Sequence, residues 1–508
     1  MTTHQKIVDQ FLHRSVHVFG ASGAEGSAVL LWLVGHSVPH IVAHDVLPAD
    51  SLMNEWHRVH EGATDAEAEE FASLLTDKSI SWKLAAEYES MPGVDDIIFL
   101  PQSWFRYSRN DFLRELFLPT LVVKPEHVAR IWSLTRLYFA LFTGTLIAIT
   151  GADGKTTTTK MIGSIMSAYA ASLGVSCIES GNDRSHAQSL VAVENATAKD
   201  YLVLEVSDRQ LSFGFPLAPD IAVVTNITPN KHMDDYGGFE KYVGVKSHLL
   251  QFQSAAQTAV LNADDTACRE QLINVGAGKR TWTSLHTRPE RGAWIDHNQL
   301  AFVSGGHTTP VLPITDLKIF GAHNISNALL AATAAQAAGV PDSMIAETLS
   351  NFQPVAHRLQ PVGTWKGILF IEDSAGGNPV NIAATIRTFT DRNLVLLVGG
   401  YRPNLTAAEV ADMLTALQAA HSIHTLVLFG QVRQALAVLV EEATKGTVPV
   451  VCVENLAAAF TWIHAQSGEL SALPSPIVCM TPGFESFDQY KDYRARAAHY
   501  VELVNSLC

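Results

Sequence analysis

Short apolar runs alternate with longer helix-prone stretches along most of this chain, and the alternation predicts an α/β protein with parallel sheets. Ser15 to Phe19 alternates like a strand, and a glycine-rich turn and an apolar helical run, Ser27 to Val34, follow it. Ile41 begins a second strand that ends at Asp45; Asp95 to Leu100 and Pro119 to Val123 read as two more, while residues 46 to 90 are polar and helix-prone. A second series contains Ile147 to Thr150, Tyr201 to Glu205, Asp220 to Asn226 and Ala259 to Asp264. A third contains Gly367 to Asp373, Asn393 to Gly400, His424 to Phe429, Val448 to Cys452 and Pro476 to Met480. New units open near 131 and near 355, so the pattern divides the chain into 1–130, 131–354 and 355–508. Ligands are expected at the carboxyl ends of the strands.

Two turns carry candidate chemistry. The strand Ile147–Thr150 runs into Gly151-Ala152-Asp153-Gly154-Lys155-Thr156-Thr157, and a helical run leaves it. This is the strand–phosphate loop–helix order. The glycines let backbone N–H groups face a polyphosphate, the new helix aims its positive end at the same place, Lys155 can reach the outer phosphates, and the Thr156 hydroxyl can hold Mg²⁺. The spacing departs from the usual loop, because Ile149 stands where the first glycine is expected. The other turn is Gly20-Ala21-Ser22-Gly23-Ala24-Glu25-Gly26, with Asp45 ~20 residues further on, as in dinucleotide-binding turns. Its GxxGxxG spacing leaves three readings open: a dinucleotide, a nucleotide or nucleotide-sugar, or a turn that serves packing alone.

Composition narrows the classes. The 508 residues are 47% hydrophobic and 17% charged, a globular balance, and the net charge of −15 argues against a nucleic-acid partner. Any phosphate must be bound locally, by loops and a few cations. Cys177, Cys268, Cys452, Cys479 and Cys508 are scattered without a Cys-x-x-Cys pair, so reduced thiols in a cytoplasmic protein are expected. The first residues have no apolar signal core and no stretch is long enough to span a bilayer, so no membrane partner is expected. Glu205, at a strand end, suits a metal that bridges phosphate oxygens, and His232 follows another strand exit.

In order, the phosphate loop, Glu205, Thr225-Asn-Ile-Thr followed by His232-Met-Asp, Lys246, Asn262-Ala-Asp-Asp265, Gly321-Ala-His-Asn-Ile-Ser-Asn327, His357-Arg358 and Asp373-Ser374 resemble the Mur ligases over nearly the whole chain. The C-terminal Thr481 to Tyr493 segment is most similar to the glutamate-adding members. The resemblance implies a Rossmann-like N-terminal domain for a UDP-substrate, a central P-loop ATPase-like domain and a C-terminal Rossmann-like domain for an amino acid. It implies an acyl-phosphate mechanism using ATP and two Mg²⁺ ions, small-molecule substrates and a monomer. On this chain it implies Lys155 and Thr156 for phosphates and metal; Glu205, His232 and a carbamylated Lys246 for metal; and Asn324, Asn327, Arg358 and Asp373 for the nucleotide. Gly23, Ala24, Asp45 and Asn182 would serve the UDP-substrate, and Ser486 and Tyr493 the amino acid.

The departures cluster on substrate selection. Ala375-Gly376-Gly377 lacks the cation and hydroxyl expected after Asp373-Ser374, so Arg402 becomes the candidate for the amino-acid carboxylate. Glu25 stands where a small hydroxyl residue would face a pyrophosphate, and Asp183-Arg184 and Lys231 are also atypical. Two alternatives follow: a Mur-type ligase with another acceptor or amino acid, and a nucleotide-binding homologue that has lost ligase chemistry. Retention of Lys155, Glu205, His232 and Lys246 argues against the second.

Overall fold

A computed structural model of the chain describes residues 3–60, 63–182, 190–229, 231–375 and 377–507. Asp183, Arg184, Gly376 and Cys508, singled out above, lie outside the described residues. The first sheet is wholly parallel. It holds β1 (Val16–Phe19), β2 (Ile41–Asp45), β3 (Ile80–Leu84), β4 (Ile97–Phe99) and β5 (Ile131–Trp132) in the order β3-β2-β1-β4-β5. The strand order reverses between β1 and β4, which opens a crevice at their carboxyl ends.

The second sheet has β6 (Thr145–Thr150), β7 (Cys177–Gly181), β8 (Tyr201–Glu205), β9 (Ile221–Val224), β10 (Thr258–Asn262), β11 (Lys279–Ser284), β12 (Gly292–Asp296), β13 (Gln299–Ser304) and β14 (His307–Pro313). Their order is β14-β13-β12-β11-β10-β9-β6-β8-β7, parallel from β7 to β12 and antiparallel from β12 to β14. Strands β8 and β9 are buried throughout, which is why they read as continuous apolar runs. The third sheet has β15 (Gln360–Trp365), β16 (Ile368–Glu372), β17 (Asn393–Gly399), β18 (Ile423–Phe429), β19 (Val450–Cys452) and β20 (Pro476–Gly483) in the order β15-β16-β20-β17-β18-β19. It too is parallel apart from the β15–β16 pair.

Contacts group the chain into two compact units, Met1–Asp316 with Ser326–Asn351, and Leu317–Ile325 with Phe352–Cys508. One apolar core runs beneath both the first and second sheets, from Phe11 and Trp132 to Leu204 and Leu261. The third sheet has a core on each face, one around Leu396 and one around Val478.

Three details differ from the sequence expectations. Pro119 to Val123 is not a strand: Leu118 and Val122 close a tight turn, Leu121 has φ 65, and Val123 forms only an isolated bridge to Phe117. Leu121 and Val123 are buried there, while Pro119 is exposed and Val122 half-buried. The polar stretch 46–90 hides β3, an edge strand with no apolar run, in which only Ile80 is buried and the other positions are half-buried or exposed. The first sheet also extends past residue 130, because β5 pairs with β4.

Candidate active site

Strand β6 delivers its last residue, Thr150, to the carboxyl edge of the second sheet, and the helix Lys155–Leu173 starts four residues after Gly151. Gly154 caps that helix with φ 80, a left-handed conformation that glycine takes without strain. A Cβ at Gly154 would meet the Asn327 amide, and one at Gly151 the Thr225 hydroxyl. Neighbouring strand exits pin the loop. Ala152 N–H donates to Asn226 O at 2.8 Å, Asp153 N–H to Asn226 Oδ1 at 3.0 Å, and Thr225 Oγ1 donates to Asp153 O at 2.6 Å. Lys155 Nζ donates to the carbonyls of Gly151 and Ala152 at 3.1 and 2.9 Å, which holds its ammonium over the loop. Thr156 is half-buried and Thr157 buried in the first turn, where no acidic residue opposes an incoming phosphate.

Glu205 ends β8 level with Ile149 of β6 and is 2% exposed. Asn182 Nδ2 donates to its Oε1 at 3.1 Å, and Oε2 is buried with no hydrogen-bond partner among the described residues. An orphaned buried carboxylate oxygen beside a phosphate loop fits a cation. His232, in the short turn Lys231–Tyr236, lies 3.5 Å from Asp208, and Tyr236 donates to the same carboxylate at 2.9 Å. Lys246, on the helix Phe239–Gln251, has no exposed surface. Its Nζ donates to Gly151 O at 2.7 Å and lies 3.8 Å from Asp208. Burial, with the positive Lys155 nearby, pushes the Lys246 ammonium down to about 7. Burial alone would raise the Asp208 carboxyl, but His232, Lys246 and Tyr236 hold it well below the usual range. Among the described residues no three His, Cys, Asp or Glu side chains form a ready metal cluster, so Glu205 and His232 would need loop and substrate oxygens to complete a metal shell.

A cavity of about 580 Å³ opens where β1 and β4 end. Gly23, Ala24 and Glu25 line one wall, Gln102 and Ser103 another, and Asn182 the side nearest Glu205. Asn182 therefore joins this cavity to the phosphate-loop site through one hydrogen bond. Asp45 is placed elsewhere. It takes the N–H and hydroxyl of Ser22 on Oδ2 at 2.9 and 2.7 Å, and the Leu47 N–H on Oδ1 at 3.1 Å. It holds the turn closed and does not line the cavity.

The candidates in the second unit form a separate group. Asn324 donates to Phe320 O at 2.8 Å, and Arg358 is exposed. Asp373 accepts from Leu359 N–H, Thr385 and Thr481, and enclosure pushes its carboxyl up to about 6. Ser486 is buried, and Tyr493 stands edge-on to His357 with ring centroids 5.7 Å apart. His357 in turn bonds Glu372 at 2.8 Å, which raises its pKa. Arg402 corrects the sequence expectation: its guanidinium is engaged by Glu409, an acid seven residues on, which Thr406 also binds.

Sequence reasoning missed Asp208 and the cavity arginines Arg58, Arg106 and Arg209. Asp208 and Arg209 follow Glu205 so closely that a strand-end position could have flagged them. Arg58 carries no local signal.

Such an arrangement suits a phosphate-loop enzyme that uses a nucleoside triphosphate to activate a second substrate held in the neighbouring cavity. Comparison with known proteins makes the class specific. Residues 149–335 match the family model described as the Mur ligase middle domain. The chain is 30% identical over 397 residues to the UDP-N-acetylmuramoylalanine–D-glutamate ligase of Acetivibrio thermocellus, covering 77% of this chain and 80% of that protein. It is 31% identical to the enzyme of the same description from Koribacter versatilis, covering 72% and 75%. Among solved structures, MurF from Acinetobacter baumannii matches 98% of both chains at a TM-score of 0.58 and 15% identity. The chain belongs to the Mur ligase family, with its three-domain α/β architecture, and is an ATP-dependent acid–amino-acid ligase.

Proposed function

We propose that this chain joins glutamate to UDP-N-acetylmuramoyl-L-alanine, an amide-forming step in peptidoglycan synthesis. The observation that carries the reading is the Asn182–Glu205 bond, which sets a substrate cavity one side chain away from the phosphate-loop site. The relatives at about this identity are described as ligases of that acceptor and D-glutamate. ATP transfers its terminal phosphoryl group to the acceptor's carboxylate. The amine of glutamate attacks the resulting acyl phosphate, and phosphate leaves the tetrahedral intermediate.

In this reading Lys155 and the N–H groups of Gly151 to Thr157 hold the ATP phosphates, and Asn324, Asn327, Arg358 and Asp373 serve its nucleoside side. Two Mg²⁺ ions would supply charge neutralisation between ATP and the acceptor carboxylate. Thr156, Glu205, His232 and Lys246 would hold them. Lys246 takes part as a carbamate, which a buried, readily neutralised amine can form with carbon dioxide. Gly23, Ala24 and Asn182 line the acceptor's cavity, and Asp45 shapes it through Ser22. Ser486 and Tyr493 face the amino acid. The working divisions are 1–130, whose sheet is completed by Ile131–Trp132, then 131–354 and 355–508, each with one task, and the enzyme acts as a cytoplasmic monomer on small molecules. Among the described residues no helix is long and apolar enough to cross a membrane.

The missing cation and hydroxyl at Ala375 and Gly377 favour testing a second reading, the same ligase chemistry with another amino acid. A phosphate-release screen that pairs UDP-muramoyl acceptors with D-glutamate, L-glutamate and neutral or basic amino acids separates the two. Release only with a neutral or basic amino acid would replace the glutamate assignment.

A further inference from the structure

The 580 Å³ cavity contains a charge that an acceptor carrying a diphosphate should not meet. Glu25 sits in the first turn of the helix Ala24–Gly35, whose N-cap, Gly23, makes no side-chain cap bond. Its Oε2 accepts the Gln102 N–H at 2.7 Å, and Gln102 Oε1 accepts the Ser207 hydroxyl at 2.6 Å. The carboxylate thus stands at the positive end of the helix, where an anionic ligand would otherwise be drawn. It also ties the glycine-rich turn to the segment after β4.

The same cavity is lined by Arg58, Arg106 and Arg209. Arg58 is forked onto Glu55 of its own helix, with Nε 2.6 Å from Oε2. Arg106 Nε is 3.9 Å from Asp235, a loose and partly exposed ion pair. Arg209 Nε is buried and has no hydrogen-bond partner among the described residues. Three arginines against two glutamates, Glu25 and Glu55, leave the lining net positive.

We infer that Glu25 takes the anion's place at the helix N-terminus and that the acceptor's diphosphate is held instead by Arg106 and Arg209. Glu25 is then the residue that sets the lie of the acceptor in the cavity, and the mismatch between an acid and a pyrophosphate disappears. The inference rests on the acceptor being a uridine diphosphate sugar. An arginine fork matches phosphate oxygens bidentately, so two arginines are chemically sufficient for a diphosphate.

The test is calorimetric titration of the full chain with UDP and, separately, with uridine. Glu25→Gln keeps an oxygen to accept the Gln102 N–H and removes only the charge. It should tighten UDP about tenfold, the effect of lifting one nearby like charge, and leave uridine unmoved. Arg209→Ala should weaken UDP about tenfold and leave uridine unmoved. Unchanged or weaker UDP binding in Glu25→Gln, equal shifts for uridine, or no UDP binding to any of the chains would overturn the inference. The functional reading fails separately: a chain that shows these UDP shifts but releases no phosphate with any UDP-muramoyl acceptor and glutamate keeps the inference and loses that assignment. A chain that turns over the acceptor with a KM insensitive to both substitutions keeps the assignment and loses the inference.

Discussion

The chain uses one backbone device twice and gives it opposite charges. In each case a central strand of a parallel sheet, β1 or β6, enters a glycine-rich turn that opens a helix. In each case a neighbouring strand's exit pins the turn, Asp45 on Ser22 in the first and Thr225 with Asn226 on Asp153 in the second. The second turn places Lys155 at the start of its helix with no acid in the first turn, whereas the first places Glu25 there. A glycine turn and a helix dipole make a place where an anion can sit. The side chain in the first helical turn decides whether that anion comes from the substrate or from the protein.

The largest expected effect is at the second turn. Lys155→Ala should lower kcat/KM for ATP-dependent ligation by about 10²–10³-fold with the melting temperature little changed, since it removes a preorganised cation from developing phosphate charge. Near-normal turnover would mean that the two turns do not differ in phosphate handling. Lys246→Ala should lose at least about 10–100-fold in activity, the loss that follows removal of a group supporting a metal site, and recover part of it with added short carboxylic acids. Lack of recovery, in a variant shown to be folded, would count against an anionic role for the lysine.

The first turn should respond in stability before it responds in rate. A Cβ at Gly26 would run into the Gly20 carbonyl and the Ala21 backbone, so Gly26→Ala should lower unfolding stability by about 1–3 kcal/mol in urea titration. Asp45→Asn keeps an acceptor but weakens two bonds to Ser22, and a loss of about 1 kcal/mol is expected. A larger effect on the acceptor KM than on stability would show that Asp45 touches substrate. Arg402→Ala, outside both turns, should change the KM for glutamate less than about threefold, because an exposed pair with Glu409 contributes little. A rise in that KM with the KM for ATP unchanged would restore Arg402 as a substrate cation.

Legibility followed local chemistry. The phosphate loop, Glu205 at its strand end and the buried runs of β8 and β9 were readable because each depends on neighbours in sequence. Strand β3 was not, since an edge strand needs no continuous apolar run, and Pro119 to Val123 looked like a strand because burial by a turn also requires apolar residues. Glu25 was seen as an oddity but its partner, the Gln102 N–H, lies 77 residues away.

The sequence by itself determined the α/β class, the two glycine turns and the candidate residues of the phosphate loop. It could do so because backbone conformation at glycine and periodic burial are local properties. Only the tertiary structure decided that Asp45 closes a turn, that Arg402 is taken by Glu409, and that Asp208 gathers His232, Tyr236 and Lys246 around one carboxylate. Charges act through space, and their partners are chosen by which strand ends the sheet sets side by side.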